Sequence, residues 1–172
     1  VTYEQSFAIY GLAEYTRATG DPRGLDYAQN TFDLLHVHTT DVRYGGYQEN
    51  FTHDWQPVYN THFAADRKTL NTHMHLMESF TELYRASGLA VHRRKLLEVT
   101  DLIVAHMIDP QNGCGRNQFD LAFNPIPAIA IQHTFNAERE GEAPAVPTDT
   151  TSYGHNVELA WLMRRALDAA GE

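Results

Sequence analysis

The stretch that decides the fold is Lys68-Thr-Leu-Asn-Thr-His-Met-His75-Leu-Met-Glu78-Ser-Phe-Thr-Glu-Leu-Tyr-Arg85. Read as a helix, it places His75 and Glu78 three residues apart on one face, close enough for a hydrogen bond. A carboxylate beside an imidazole fixes which ring nitrogen carries the proton and raises the basicity of the other. The pair suits a proton-transfer enzyme, although such pairs also fill and cap partly buried helix faces. His73 lies about 200° around the helix from His75 and cannot share that face.

Composition narrows the class of protein. The chain has 172 residues, of which 42% are hydrophobic and 20% charged, with a net charge of −9. These values fit one globular domain with a sizeable core. The acidic balance argues against nucleic acid as a partner, because phosphate binding needs clustered Lys and Arg. No apolar run approaches the ~20 residues of a membrane span, and the lone Cys114 favours a reducing, cytoplasmic compartment.

Helical periodicity predicts five helices. Four are expected at residues 3–19, 22–38, 68–87 and 90–107, and the fifth begins near Asn156 and ends before Gly171. Two glycine-containing stretches, 44–51 and 112–119, are typical of short extended hairpins. The sequence opens inside a helical pattern and stops just after a helix end, so we expect it to be part of a longer protein.

The first two units of this pattern repeat with an offset of 68 residues, which aligns Arg17-Ala-Thr-Gly20 with Arg85-Ala-Ser-Gly88. The same offset pairs further residues in and around the extended stretches: His38 with His106, Asp41 with Asp109, Gly45 with Gly113, Phe51 with Phe119, Trp55 with Phe123, and Pro57 with Pro125. Helix, turn, helix and extended hairpin therefore recur as one unit.

A third copy begins at Ser152. Its register, fixed by the glycine that ends each unit, puts Glu158 at the place of His75 and Trp161 at the place of Glu78. All four side chains are therefore expected on the same inner face of their helices.

Helical hairpins of this kind must stack, because one hairpin cannot bury its apolar face alone. An open solenoid and a closed ring of inner and outer helices both satisfy this requirement. The repeat is longer than those of common helical solenoids, so we favour an all-α toroid with its loops gathered at one end, the usual place for a site. Residues 1–172 are expected to form a single partial toroid domain, with a loop insertion at 128–151.

Four ordered segments resemble one known family. They are residues 5–15, residues 44–47 with Asp54-Trp55, residues 68–78 with Tyr84-Arg85, and residues 152–162. Together they are similar to the N-acylglucosamine 2-epimerase superfamily, most closely its cellobiose 2-epimerase branch. The likeness spans nearly the whole chain except 128–151. It implies helical-hairpin repeats that form part of an (α/α)6 barrel, with short β-hairpin excursions.

The resemblance also implies an activity, inversion of C2 in a reducing aldose such as a β-1,4-linked disaccharide. The C2 hydrogen is acidic only in the ring-opened sugar, where the C1 carbonyl delocalises the carbanion as an enediolate. One group removes the proton and another returns one on the opposite face, and imidazole suits both steps. The resemblance places one such group at His75 with Glu78 as its partner, and a second histidine in a segment beyond this chain.

Further site residues follow from the same resemblance, which implies that the sugar pocket is lined by His155, Trp55, Phe123, Asn71 and Trp161. For several of them the sequence leaves a structural alternative open. Trp55 could stack on a sugar or anchor its own hairpin, His155 could be a local cap, and Trp161 could belong to the core. Phe123 stands where the family usually has Trp, and Asn156, next to His155, stands where it often has Asp.

Other functions remain open or are disfavoured. No His-Glu-x-x-His set, dinucleotide or phosphate loop, or nucleophile elbow occurs, so neither a metal nor an organic cofactor is expected. A mannose isomerase, which reprotonates the enediol at C1, and an N-acylglucosamine 2-epimerase are alternatives with the same chemistry. An inactive helical fragment that binds sugar or a partner protein is an alternative of another class. The oligomeric state is not indicated by the sequence.

Overall fold

The computed structural model of the chain describes residues 2–58, 65–126 and 151–172. Within these ranges the helices are α1 (Thr2–Thr19), α2 (Pro22–Thr39), α3 (Leu70–Ser87), α4 (Ala90–Leu102, continued by a π-helical turn at Ile103–Met107) and α5 (Tyr153–Ala170). Two short strands, β1 (Arg67–Thr69) and β2 (Gln118–Asp120), pair antiparallel. The predicted insertion at 128–151 lies outside the described residues except for Thr151. No helix in these ranges is long and apolar enough to cross a membrane.

Helix α3 lies at the centre of the fold. Twelve of its 18 residues are buried, against four in each of α1 and α5, which pack on either side of it. Helix α2 packs mainly on α1, and α4 packs on α3 and α5. The inner row is therefore α1–α3–α5 and the outer row is α2 and α4, which confirms the predicted helical-hairpin architecture.

The apolar core lies between these two rows. Phe32 of α2 packs edge-on against Phe80 of α3, with ring centroids 5.2 Å apart. Leu83 of α3 and Leu96 of α4 are fully buried in the same cluster. Burial of such side chains is worth roughly 1.5–3 kcal/mol each. The hairpins are therefore held together by the faces that the helical periodicity predicts.

The repeat is visible in the helix ends. Gly20, Gly88 and Gly171 follow the three inner helices with φ of 75°, 66° and 77°. Each donates its backbone N–H to the carbonyl four residues earlier, as a left-handed C-cap requires. At the other end, Thr69 and Ser152 cap α3 and α5 with their hydroxyl groups. The inner helices begin at residues 2, 70 and 153, so their starts keep the same spacing as the glycines that end them.

The segments after the outer helices repeat in the same way, and we call residues 40–58 and 108–126 the first and second excursions. Trp55 and Phe123 both have positive φ, at 63° and 65°. Their rings stack on His38 and His106, with centroids 4.8 and 4.7 Å apart. Backbone bridges link Phe51 with Pro57 and Phe119 with Pro125. The structure thus favours the hairpin-anchoring role of Trp55 that the sequence left open.

Lys68 joins the two excursions. Its side chain is fully buried, and its Nζ donates to Asp41 Oδ2 (2.8 Å), to the Gly45 carbonyl (2.6 Å) and to the Leu121 carbonyl (2.7 Å). Burial lowers the pKa of Lys68, and the contact with Asp41 opposes that effect. Because all three N–H groups have acceptors, the ammonium ion is satisfied in the interior. This contact fixes both excursions to β1, directly before α3.

Candidate active site

The starts of the three inner helices meet around His75, in the second turn of α3. The Tyr3 and Phe7 rings of α1 lie against its imidazole, with centroid distances of 5.3 and 4.8 Å. On the other side stands Glu158 of α5, whose Oε1 is 4.0 Å from His75 Nε2. The side chain of His75 is 9% exposed, so the ring is buried up to its rim.

The predicted contact between His75 and Glu78 is present. His75 Nδ1 lies 2.8 Å from Glu78 Oε2. An ionised carboxylate only accepts hydrogen bonds, so Nδ1 carries the proton and Nε2 keeps its lone pair. At 4.0 Å, Glu158 is too far for a hydrogen bond to Nε2. His75 Nε2 is therefore the atom that can exchange a proton with a ligand.

Asn71 lies one turn before His75 on the same face of α3. Its Oδ1 is buried and has no hydrogen-bond partner within the described part of the chain. Its side-chain amide interacts with the hydroxyl of Tyr3, whose pKa is raised mainly by burial. A buried carbonyl oxygen without a partner costs stability. Asn71 therefore offers an unused acceptor beside the imidazole.

The remaining predicted site residues fall into two groups. His155 lies half-buried in the first turn of α5, where its backbone N–H donates to Ser152 Oγ. Trp161 is 57% exposed and borders a cleft of about 430 Å³ together with Arg85 and Arg165. These two side chains belong to the same inner helix as Glu158.

Trp55 and Phe123, in contrast, belong to the excursions. Among the described residues, no ring contact or hydrogen bond joins either side chain to His75. Phe123 is only 7% exposed and lies beneath the ammonium of Lys68, 4.2 Å from Nζ to the ring centroid. Their pocket-lining role stays a prediction, and the burial of Phe123 does not favour it.

Glu82 lies on α3 two turns after His75. Its carboxylate is fully buried and is contacted by one arginine from each inner helix: Arg17 (2.8 Å), Arg85 (3.4 Å) and Arg165 (2.6 Å). Although burial alone would raise it, the pKa of Glu82 is lowered, chiefly by the Arg165 hydrogen bond. The contacts hold the three helices at a fixed spacing below the imidazole.

Sequence reasoning did not single out Tyr3, Phe7 and Glu82. The 68-residue offset places Tyr3 and Phe7 opposite Asn71 and His75, so the signal for the two rings was present in the repeat. Convergence of three arginines on one carboxylate depends on tertiary contacts and has no comparable signal. As to metals, no cluster of three or more His, Cys, Asp or Glu suited to an ion occurs in the described ranges.

Comparison with known proteins identifies the family. The family model for N-acylglucosamine 2-epimerase (GlcNAc 2-epimerase) matches residues 1–170. The chain belongs to this family. The cellobiose 2-epimerase of Bacteroides fragilis is 32% identical over 174 residues, and that of Ruminococcus albus is 33% identical over 179 residues. Both alignments cover 99% of this chain but 39% of the relative, so this member of the family spans about two fifths of their length.

Solved structures support the fold. A cellobiose 2-epimerase from Bacillus thermoamylovorans B4167 superimposes with a TM-score of 0.82 at 26% identity, over 99% of this chain and 40% of that one. A D-mannose isomerase gives a TM-score of 0.67 at 16% identity, over 97% and 36% of the two chains, and so shares the fold alone. The predicted fold, part of an (α/α)6 barrel, is confirmed.

Proposed function

We propose that the protein is a carbohydrate 2-epimerase that inverts C2 of a reducing aldose, with a cellobiose-type β-1,4 disaccharide as substrate. The observation that carries this proposal is the state of His75. Its Nδ1 is held by Glu78 at 2.8 Å, while Nε2 has no hydrogen-bond partner within the described residues. The names of the relatives, which cover the chain almost completely, supply the substrate class.

The first step follows from this geometry. His75 Nε2 takes the C2 proton of the ring-opened sugar, the C–H electron pair enters the C1–C2 bond, and negative charge collects on O1. The imidazolium that forms is stabilised by Glu78 at Nδ1 and by the carboxylate of Glu158 4.0 Å from Nε2. Both carboxylates favour the charged product of proton abstraction.

The second step needs an acid on the opposite face of the enediolate. In the described part of the chain, His155 is the half-buried imidazole at the start of an inner helix, whereas His73 is fully buried. His155 and Glu158 repeat the His-x-x-Glu spacing of His75 and Glu78 on the neighbouring helix. We therefore test His155, predicted as a pocket residue, for proton return beside the second histidine that the resemblance places beyond this chain.

Binding of the sugar uses the groups that the fold leaves unsatisfied. Asn71 Oδ1 accepts a sugar hydroxyl, which removes the cost of its burial. The exposed ring of Trp161 offers a flat apolar surface to the C–H face of a pyranose. Tyr3 and Phe7 close the side of His75 that faces α1.

Incubation of the full-length native protein with cellobiose in deuterated water tests the proposal. We expect deuterium at C2 and formation of the 2-epimer, both followed by NMR. His75→Asn and His155→Asn should each reduce the exchange by at least about a hundredfold. His36→Asn is the matched control, because that half-buried ring lies on the outer helix α2 and stacks on Phe32 of the core.

The products separate the alternatives. Deuterium at C1 of a ketose identifies an isomerase, and turnover of N-acylglucosamine with none of cellobiose identifies the other epimerase. Sugar binding without any exchange supports a non-enzymatic protein. Exchange at the wild-type rate in His75→Asn removes His75 from the mechanism.

A further inference from the structure

His73 connects the start of α3 to the first excursion. It is the fourth residue of the helix, and its ring is fully buried. Nε2 accepts the backbone N–H of Tyr47 at 3.1 Å, so Nδ1 carries the proton and donates to the Thr69 carbonyl at 2.9 Å. Burial lowers the pKa of His73 to about 4 despite the hydrogen bond to the Thr69 carbonyl, which keeps Nε2 available as an acceptor. One neutral side chain thus hydrogen-bonds both a backbone N–H of the first excursion and the carbonyl of the residue that caps α3.

Asn156 makes the same two contacts at the start of α5. It is the fourth residue of that helix, and its Oδ1 accepts the backbone N–H of Gly115 at 2.6 Å. Its Nδ2 donates to the carbonyl of Ser152, the cap residue, at 2.7 Å. Thr151 adds a second tie by donating its hydroxyl to the Gly115 carbonyl at 2.6 Å.

The two sets of contacts are equivalent in the repeat. Tyr47 and Gly115 are separated by the 68-residue offset, and His73 and Asn156 hold the same position of successive inner helices. The two side chains differ in size and chemistry. What they share is one acceptor and one donor, directed at the same two backbone groups. Equal contacts made by unlike residues indicate that the contact itself is required.

We propose that His73 and Asn156 are positioning residues that lock the starts of α3 and α5 to the two excursions. Each lies within two residues of a proposed site residue, His75 or Glu158. His75 Nε2 and Glu158 Oε1 lie 4.0 Å apart across the boundary between α3 and α5. The lock fixes the rotation and height of each helix start, and with them the gap in which the sugar would react. Its catalytic consequence rests on the proposed function, whereas the lock itself does not.

Residue-resolved amide hydrogen exchange tests the lock. Asn156→Leu keeps the approximate shape of the side chain and removes its hydrogen bonds to Gly115, Ser152 and Thr151. We expect the Gly115 amide to exchange at least about tenfold faster, with the Tyr47 amide unchanged. His73→Leu should give the reverse pattern. Thr100→Val, which removes a hydrogen bond inside α4, is the control and should change neither amide.

A conservative variant separates the lock from general destabilisation. Asn156→Asp keeps an acceptor for the Gly115 N–H, so its Gly115 protection should stay close to that of the wild type. In the C2 exchange assay, Asn156→Leu should lower kcat about tenfold or more with little change in KM, and Asn156→Asp should recover most of the loss. If Asn156→Leu does not fold, Asn156→Ala is used in its place.

The amide exchange measurement tests the lock, and the sugar turnover measurement tests the proposed function, so either proposal can be contradicted without the other. Wild-type protection of Gly115 in Asn156→Leu, or loss of that protection in Asn156→Asp, would overturn the lock. Faster exchange spread evenly over the chain would also overturn it, because the effect would then be global unfolding. An intact exchange pattern without any sugar turnover would instead contradict the proposed function.

Discussion

Glu49 and His73 form a buried pair beneath the start of α3, and they give the protein two opposing pH dependences. Glu49 accepts hydrogen bonds from the backbone N–H and the hydroxyl of Thr69, and its Oε1 is 3.8 Å from His73 Nδ1. Burial raises the pKa of Glu49 from 4.5 to about 7 and lowers the pKa of His73 from 6.5 to about 4. Between these values both groups are neutral in the folded protein.

The sign of each contribution follows from proton linkage. The folded state holds the Glu49 proton more tightly than the unfolded state, so the contribution of Glu49 to stability falls as the pH rises from 4.5 to about 7. His73 binds its proton less tightly when folded, so its contribution rises between about pH 4 and 6.5. Each shift corresponds to about 3 kcal/mol. The two slopes nearly cancel in the wild type.

Single substitutions should reveal separately how Glu49 and His73 change the free energy of unfolding with pH. Relative to the wild type, Glu49→Gln should gain up to about 3 kcal/mol in the free energy of unfolding as the pH rises from 4.5 to 7. His73→Gln should lose up to about 3 kcal/mol between pH 4 and 6.5. Urea unfolding followed by circular dichroism at half-unit pH steps measures both, and differences from the wild type cancel groups common to all variants.

The double substitution is the control. The free energy of unfolding of Glu49→Gln/His73→Gln should depend on pH almost as that of the wild type does, because the variant lacks both titrations and in the wild type they nearly cancel. Single-variant curves that also run parallel to the wild type would refute the reasoning. Slopes of the reversed sign would show that hydrogen bonding to Thr69, rather than burial, governs the Glu49 carboxylate.

Three further predictions concern single contacts. Lys68→Met should lower the free energy of unfolding by about 3–5 kcal/mol, because it leaves the buried carboxylate of Asp41 without its cation, and adding Asp41→Asn should recover part of this in urea unfolding. Gly115→Ala should destabilise by about 1–3 kcal/mol, since a Cβ there collides with a leucine methyl of α3, whereas Gly11→Ala, with open space around its Cβ in α1, should stabilise by up to about 1 kcal/mol. Glu78→Gln should reduce kcat for C2 exchange by about 10–100-fold with KM nearly unchanged, because the imidazolium loses its charged partner. A rise of about 10–100-fold in KM with kcat unchanged would contradict this.

Much of the scaffold could be predicted because repeated sequence implies repeated backbone. The alignment of Trp55 with Phe123 and of His38 with His106 marked equivalent positions, and the structure shows at both a left-handed backbone and a ring stacked on the histidine of its own unit. The start of α5 was placed too late, near Asn156. Ser152 caps the helix through its hydroxyl and so begins it at Tyr153.

Other features had no sequence signal, because they depend on burial of groups that are usually exposed. Lys68 is fully buried, since three acceptors from the two excursions converge on its ammonium. Glu82 is buried for a similar reason, with one guanidinium from each inner helix around it. Hydrophobic periodicity cannot anticipate such contacts. The environment of the predicted site therefore depends on tertiary contacts, whereas the pair His75 and Glu78 follows from local spacing along one helix.

The repeat also explains how one scaffold can hold an asymmetric site. Equivalent positions keep the residues that the backbone requires, such as the terminal glycines and the capping hydroxyls. The inner-face positions differ from helix to helix, and the sixth and ninth residues of α1, α3 and α5 are Phe7 and Tyr10, His75 and Glu78, and Glu158 and Trp161. Inversion at one carbon needs different groups on the two faces of a planar enediolate, and identical inner helices could not provide them. Different side chains at these inner-face positions are therefore what the proposed inversion at C2 requires.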